Sequence, residues 1–273
     1  MRLFKKMPSF NAVAPGQTAI CNVPVGMSYH QFRIRYKAGA TPTDATEAVF
    51  GTDFSEIRLL VDGDVKWRLT GNELIALNKY YGIYDSGFVD GVLQMLFSRP
   101  WHRTAQAEDL TRLGTADVQT LTLEIDLAAG AVNPQLTLYA VQGEPAPLGD
   151  HVCIRKFAFN AAAVGIREIS ELPRGPYALL AAHMVTGNIA DVEVEADQRI
   201  VFQADRQLAE SYYEETQRLW QTGYFHIDFS ATDRLSDALP LSLRDFRIKA
   251  NVTAAGSFPI LLERLENRQR MAA

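Results

Sequence analysis

The residues able to do chemistry in this chain are scattered. Its five histidines, His30, His102, His151, His183 and His226, form neither an H-x-H nor an H-E-x-x-H pattern, the spacings that bring two imidazoles onto one metal. A cupin-type metalloenzyme needs histidines grouped on neighbouring strands. None of the five is spaced that way, so each is expected to be a surface or structural residue. Asp62-Gly63-Asp64 puts two carboxylates in one turn, well short of the roughly six to eight oxygens that calcium takes; turn geometry accounts for it better. Glu193, Glu195 and Asp197 alternate along a strand-like stretch and so mark one solvated face. A glycosidase pair on that face would need one carboxyl with a raised pKa, and nothing singles one out. The sequence contains no G-x-S-x-G, Walker loop or Rossmann fingerprint. Trp67, Trp101 and Trp220 lie far apart and read as core or interface anchors more readily than as a sugar platform; only Trp101 falls in an evident loop. The expectation is therefore no catalytic residues and no cofactor-binding residues.

The elements that position these residues are mainly strands. Short runs with period-two alternation, rich in β-branched and aromatic residues and bounded by Gly, Pro, Asn and Asp, recur throughout. In the first half they fall near Thr18–Val23, Tyr29–Tyr36, Ile57–Val61, Val65–Leu69, Gly91–Phe97, Thr120–Leu127 and Gln135–Val141. Phe32, Ile34 and Tyr36 alternate with Arg33, Arg35 and Lys37, and Leu121, Leu123, Ile125 and Leu127 with Thr122, Glu124 and Asp126. Such strands bury one face and wet the other, as antiparallel sheets do. In the second half strands fall near His151–Phe159, Gly165–Ile169, Tyr177–Val185, Val192–Glu195, Arg199–Gln203, Tyr224–Phe229, Phe246–Val252 and Pro259–Leu265.

Asp62-Gly63 is a strong hairpin signal, because a tight I′ turn needs positive φ at both central residues; the matching Ala196-Asp197-Gln198 is weaker. Two helices stand out. Asn72–Tyr81 carries Leu74, Ile75, Leu77 and Asn78 at helical spacing, with Gly82 just beyond as a C′ residue. Asp205 is a good N-cap for Arg206–Leu219, along which Leu208, Tyr212, Glu215 and Leu219 approximate one stripe.

These elements occur twice in the same order: an alternating hairpin, a helix carrying a Tyr-Tyr pair, and a strand closing on Phe-Ser. Phe97-Ser98 and Phe229-Ser230 are 132 positions apart (229 − 97), and Leu74 and Leu208 are 134 apart (208 − 74), about half of the 273-residue chain. A repeat of that length means two copies of a domain, since solenoid periods run at roughly 20–50 residues. Gly143-Glu-Pro-Ala-Pro-Leu-Gly149 can continue neither a strand nor a helix. The expected domains are accordingly 1–145, with a basic N-terminal arm, and 146–273. Seven or eight short strands in each half predict an all-β fold, an antiparallel sandwich or jelly roll per half with a short helix in each.

Composition is that of a globular protein, 47% hydrophobic and 22% charged. A net charge of −5 argues against a nucleic-acid coat, so no direct genome binding is expected. The charge is uneven: Arg2, Lys5, Lys6, Arg33, Arg35 and Lys37 all precede the first acidic residue, Asp44. A basic end of this kind faces anionic surfaces in other proteins. Arg2, Lys5 and Lys6, beside Leu3 and Phe4, are the candidates for contact with a membrane or other inner face. Cys21 and Cys153, one in each half, sit in apolar alternating segments and read as buried free thiols, consistent with a reducing site of synthesis; a disulfide between them is the alternative. No stretch approaches the roughly 18 apolar residues of a membrane span, and no apolar h-region follows the basic start.

The order and spacing of several segments resemble the double jelly-roll major capsid proteins of corticovirus-type phages, which are tailless and icosahedral with an internal membrane. The segments are MRLFKKMPSFNAVAPGQTAICNVPVGMSYHQFRIRY at the start, Ile169-Ser-Glu-Leu-Pro-Arg174 with Tyr177 and Ala182-His183, Tyr224-Phe-His-Ile-Asp-Phe229, and Leu243-Arg-Asp-Phe-Arg-Ile-Lys249. The resemblance covers essentially the whole chain. It departs most at 38–54 and 99–118. It implies a non-enzymatic virion protein whose homotrimers, pseudo-hexagonal because each subunit supplies two similar domains, tile an icosahedral shell over a lipid membrane. It implies contacts with neighbouring trimers, vertex or minor capsid proteins and membrane proteins. It also implies structural calcium, whose ligands match no residues here. The competing readings are a double jelly-roll glycan or glycopeptide hydrolase and a carbohydrate-binding spike protein.

Overall fold

A computed structural model describes residues 1–84, 86–102 and 104–267. The chain divides into two compact units, Met1–Val152 and Cys153–Ala273. In chain order the first holds β1 (Leu3–Lys6), β2 (Thr18–Val23), β3 (Ser28–Ala38), β4 (Thr43–Asp44), α1 (Glu47–Asp53), β5 (Phe54–Val61), β6 (Asp64–Leu69), α2 (Gly71–Tyr80), β7 (Val92–Leu96), α3 (Ala105–Leu110), β8 (Leu113–Gly114), β9 (Leu121–Leu127) and β10 (Gln135–Gly143). Next come β11 (Asp150–Ala161), which begins at the end of the first unit, β12 (Gly165–Ile169), β13 (Ala178–Met184), β14 (Ile189–Ala196), β15 (Arg199–Asp205), α4 (Arg206–Glu214), β16 (Phe225–Asp228), β17 (Leu239–Pro240), β18 (Phe246–Val252) and β19 (Gly256–Asn267). Residues 268–273 of the expected second domain lie outside the described residues.

Each unit packs two antiparallel sheets of four main strands face to face, with the two-residue β4 and β8 added on β3 and β17 on β13. In the first the sheets run β1-β10-β3-β7 and β2-β9-β5-β6; in the second, β11-β19-β13-β16 and β12-β18-β14-β15. The second order repeats the first strand for strand, which makes each unit an eight-stranded jelly roll. The alternating segments do what their period requires. Phe32, Ile34 and Tyr36 are fully buried, as are Leu123 and Ile125, while their polar alternates reach the surface.

The repeat is kept at atomic detail. Asp62 and Gly63 take φ of 50° and 80°, and Asp197 and Gln198 take 44° and 66°, so both hairpins use the same turn. Each turn aspartate then ties down a loop: Asp62 Oδ1 accepts from the Gln119 and Thr120 N–H at 2.7 and 3.0 Å, and Asp197 Oδ1 from those of Arg244 and Asp245 at 2.9 Å. The Phe-Ser pairs are equally matched. Phe97 and Ser98 both donate their N–H to His30 O, as Phe229 and Ser230 do to Leu180 O.

The helices depart from expectation in three ways. Among the described residues the first unit has three, because α1 and α3 arise in segments with no apolar stripe to announce them. α1 stands because it packs on α2 so closely that a Cβ on Gly51 would lie 2.0 Å from Asn72 Oδ1, and one on Gly71 2.3 Å from Phe50 O. Second, the register between α2 and α4 is set by their N-caps. Thr70 forms a capping box with Glu73, and Asp205 accepts from Leu208 N at 2.8 Å. Those caps are 135 positions apart (205 − 70) and pair Leu74 with Ala209, each almost fully buried; the pairing of Leu74 with Leu208 was one residue out. Third, α4 ends at Glu214 and not at Leu219. Gln217 takes φ of 60° and Arg218 turns inward, its N–H bonded to Tyr213 O.

Candidate functional site: buried polar clusters and open faces

Packing collects polar residues that the sequence keeps apart. β13 and β16 pair with His183 opposite His226, and both imidazoles are fully buried. Their Nδ1 atoms approach to 2.7 Å, so one donates and the other accepts. Glu263 Oε1, on β19, lies 3.4 Å from His183 Nε2. Trp220 and Tyr224 pack on the His226 ring. Burial, then the neighbouring His183, holds the His226 pKa well below its ordinary value. The expectation that no histidines meet on neighbouring strands is thus corrected. His183 and His226 are 43 residues apart in sequence, and only the β13–β16 pairing joins them. The expectation of surface or structural histidines narrows to structural, since His30, His102 and His151 are buried too.

A second cluster stood outside the sequence reading. Arg218 is buried, with Nε 3.3 Å from Asp228 Oδ2 and Nη2 2.8 Å from Asp233 Oδ1. Asp228 Oδ1 also accepts from both Ser230 N and Ser230 Oγ at 2.8 Å. This gives the second Phe-Ser motif a further task, because its serine caps a buried carboxylate. Tyr213 Oη accepts from Asp228 N at 2.8 Å and donates to His226 O. The only signal in sequence was an arginine amid the aromatic run that follows α4.

The carboxylates singled out in sequence are taken by protein groups. Asp62 holds two backbone N–H groups, and Asp64 pairs with Lys66 at 2.9 Å. Glu193 and Glu195 lie 2.9 and 3.0 Å from Lys249 across the β14–β18 register. These carboxylates do not fit a calcium site. Trp67 is buried and donates to Val152 O at 2.7 Å. Trp101 stacks on Tyr81 at 4.4 Å and 7°, with the Arg99 guanidinium over both rings. One face of Trp101 is therefore covered by protein. Cys21 and Cys153 are buried and not joined in a disulfide, and burial pushes the Cys21 thiol up to about 11.

The N-terminal residues are not a loose arm. β1 pairs with β10 from Leu3↔Gln142 to Lys6↔Tyr139. Phe4 stacks on Tyr139 at 5.5 Å under the Arg33 guanidinium. Arg2 reaches Glu108 at 2.9 Å and Asp109 at 2.6 Å, so its charge is balanced within the chain. Lys5 and Lys6 stay exposed. All three basic residues are exposed, and Arg2 differs in being held by two carboxylates.

Two tandem jelly rolls of one topology, with buried polar clusters that tie strands of one sheet to each other and to the loops beside them, define a double jelly-roll protein. The chain belongs to the viral coat protein P2 family. Its N-terminal domain model matches residues 4–143 and its C-terminal domain model residues 153–268. The chain is 26% identical over 204 residues, 72% of its length, to the major capsid protein P2 of Pseudoalteromonas phage PM2, 71% of which is covered. The crystal structure of the major capsid protein P2 from bacteriophage PM2 superposes with a TM-score of 0.84 at 22% identity, covering 99% of this chain and 100% of that one. A structure of Sulfolobus Turreted Icosahedral Virus matches with a TM-score of 0.71 at 12% identity, covering 98% and 91%. Membership of a coat-protein family makes this chain a structural component of a virion shell and not an enzyme.

Proposed function

We propose that the chain is the major capsid protein of a tailless icosahedral phage, and that three copies form a pseudo-hexagonal tile over an internal membrane. The observation that carries the reading is the strand-for-strand repetition of one jelly roll in a chain matched almost end to end by coat-protein models. Two similar barrels per chain let three chains present six similar faces, which is what a hexagonal lattice position asks for. Tile-to-tile contacts make the shell; a vertex or minor capsid protein and membrane proteins complete the partners. The unequal helices of the two units distinguish the alternate corners of such a tile. Light scattering on the purified chain at micromolar concentration is expected to give three times 30.4 kDa, and electron microscopy hexagonal outlines. A mass of one subunit would overturn the reading.

A further inference from the structure

At an offset of 135 positions, residues that are covered in the first unit are uncovered in the second. Lys66 and Trp67 on β6 are buried; their counterparts on β15, Val201 and Phe202, are exposed and half-buried. Leu77 on α2 is 3% exposed, and its counterpart Tyr212 on α4 is 49% exposed. Ile200 and Leu208 beside them are 55% and 64% exposed. The stripe of α4 noted in sequence therefore points outward.

Two things cover this face in the first unit. α1 packs on α2, and Asp150–Val152 run along β6, where Trp67 bonds to Val152 O. Among its described residues the second unit has neither. The connection from β13 to β14 is only Val185–Asn188, too short for a helix, and β15 pairs with β14 alone among the described residues. An open strand edge flanked by exposed Ile, Val, Leu and Tyr is adhesive unless something covers it.

We propose that this face receives β1 of a second copy of the chain, laid along β15 with Phe4 against Ile200 and Tyr212. The repeat supplies the reason. β1 occupies in its sheet the place that β11 occupies in the other, and the first residues of β11 are the ones that cover β6. The N-terminal strand of the next copy does for β15 what Asp150–Val152 do for β6. The outer edge of β1 is open, since β10 is its one partner among the described residues, and Phe4 is 61% exposed. Charge agrees: Lys5 and Lys6 stand exposed on β1, and Asp205, Glu214 and Glu215 on and beside α4. The contact uses different patches on the two copies, so it is head-to-tail and closes into a ring when the rotation permits. Edge pairing gives such a contact its register, and the aromatic anchor its grip.

The inference rests on the self-association proposed above, and the test separates the two. A full-length Phe4→Cys, Ile200→Cys chain, treated with a short bis-maleimide, is expected to run as covalent dimers and trimers on a denaturing gel. Each single variant should stay monomeric, because Cys21 and Cys153 are buried. Leu208→Asp with Tyr212→Asp, changes at exposed positions that leave circular dichroism unaltered, should raise the protein concentration needed for association at least tenfold. Lys5→Glu with Lys6→Glu should weaken association and its salt dependence. Association at trimer mass without cross-linking would overturn this contact and leave the tile. A monomer mass for the unaltered chain would overturn both. Lysine variants that associate normally but lose binding to anionic lipid vesicles would show that β1 serves the membrane instead.

Discussion

Replacing His226 by glutamine should flatten the stability of the protein against acid between pH 7 and pH 5. His226 is fully buried, its Nδ1 shares one proton with His183 Nδ1 at 2.7 Å, and its ring lies between Trp220 and Tyr224. Glu263 on β19 faces His183, and Tyr213 and Asp228 lie close by. Burial holds the folded pKa well below the unfolded value of about 6.5. A depressed folded pKa means the neutral imidazole is the folded form. The stability it confers is complete above pH 6.5. It is lost as pH falls, because the unfolded chain takes up a proton that the folded chain refuses. While the folded pKa lies below the pH range, the slope approaches about 1.4 kcal/mol per pH unit below the unfolded pKa, so about 2 kcal/mol is lost between pH 6.5 and pH 5. For a chain of this size that corresponds to roughly 4–8 °C in melting midpoint. His226→Gln keeps a donor and an acceptor but cannot titrate in this range. It should melt lower than the parent at pH 8, and its midpoint should fall less between pH 7 and pH 5 by that amount. The assay is differential scanning fluorimetry at one protein concentration, which removes the contribution of association. Parallel curves for the two proteins would refute the reasoning. His30, also depressed by burial, contributes equally to both and cancels.

Three further outcomes follow from the same structure. Arg218→Ala should lower unfolding free energy by about 3–5 kcal/mol, because it strands the buried Asp228 carboxylate; an urea titration showing less than about 1 kcal/mol would mean that the carboxylate finds other compensation. Gln198→Gly, which installs at φ 66° the residue that Gly63 supplies in the first unit, should stabilise by about 1 kcal/mol, read as a raised midpoint in the same titration. Adding a chelator should leave the melting temperature of the isolated chain within about a degree, since Asp62, Asp64, Glu193 and Glu195 already bind N–H groups or lysines; a drop of several degrees would point to calcium held by other carboxylates.

Much of the fold was legible because strand and turn signals are local. Thr18–Val23, Gly165–Ile169 and Phe246–Val252 fall at the limits that alternation marks. Asp62-Gly63 and the cap at Asp205 act over four or five residues, so a reading of neighbours finds them; the Thr70 capping box is equally local, yet the apolar stripe alone began that helix at Asn72. α1 was not legible, because Glu47–Asp53 contains a glycine whose value is its fit against Asn72. β1 was read as an arm because four residues, two of them lysines, carry no period of their own; its partner β10 lies more than 130 positions away.

The sequence by itself determined that the chain is two copies of one β-sandwich. Period-two alternation decides which face of a strand is buried, and repetition of that pattern at one offset decides that the faces recur. Only the tertiary structure decided which polar residues meet. His183 and His226 become a proton-sharing pair, and Arg218 finds Asp228 and Asp233, through strand pairings and a chain reversal that no local pattern encodes. Only tertiary structure, too, turned the apolar stripe of α4 outward. A stripe states that something must cover it. Whether the cover comes from the same chain or another depends on connection lengths, and four residues between β13 and β14 leave no room for the helix that does it in the first unit.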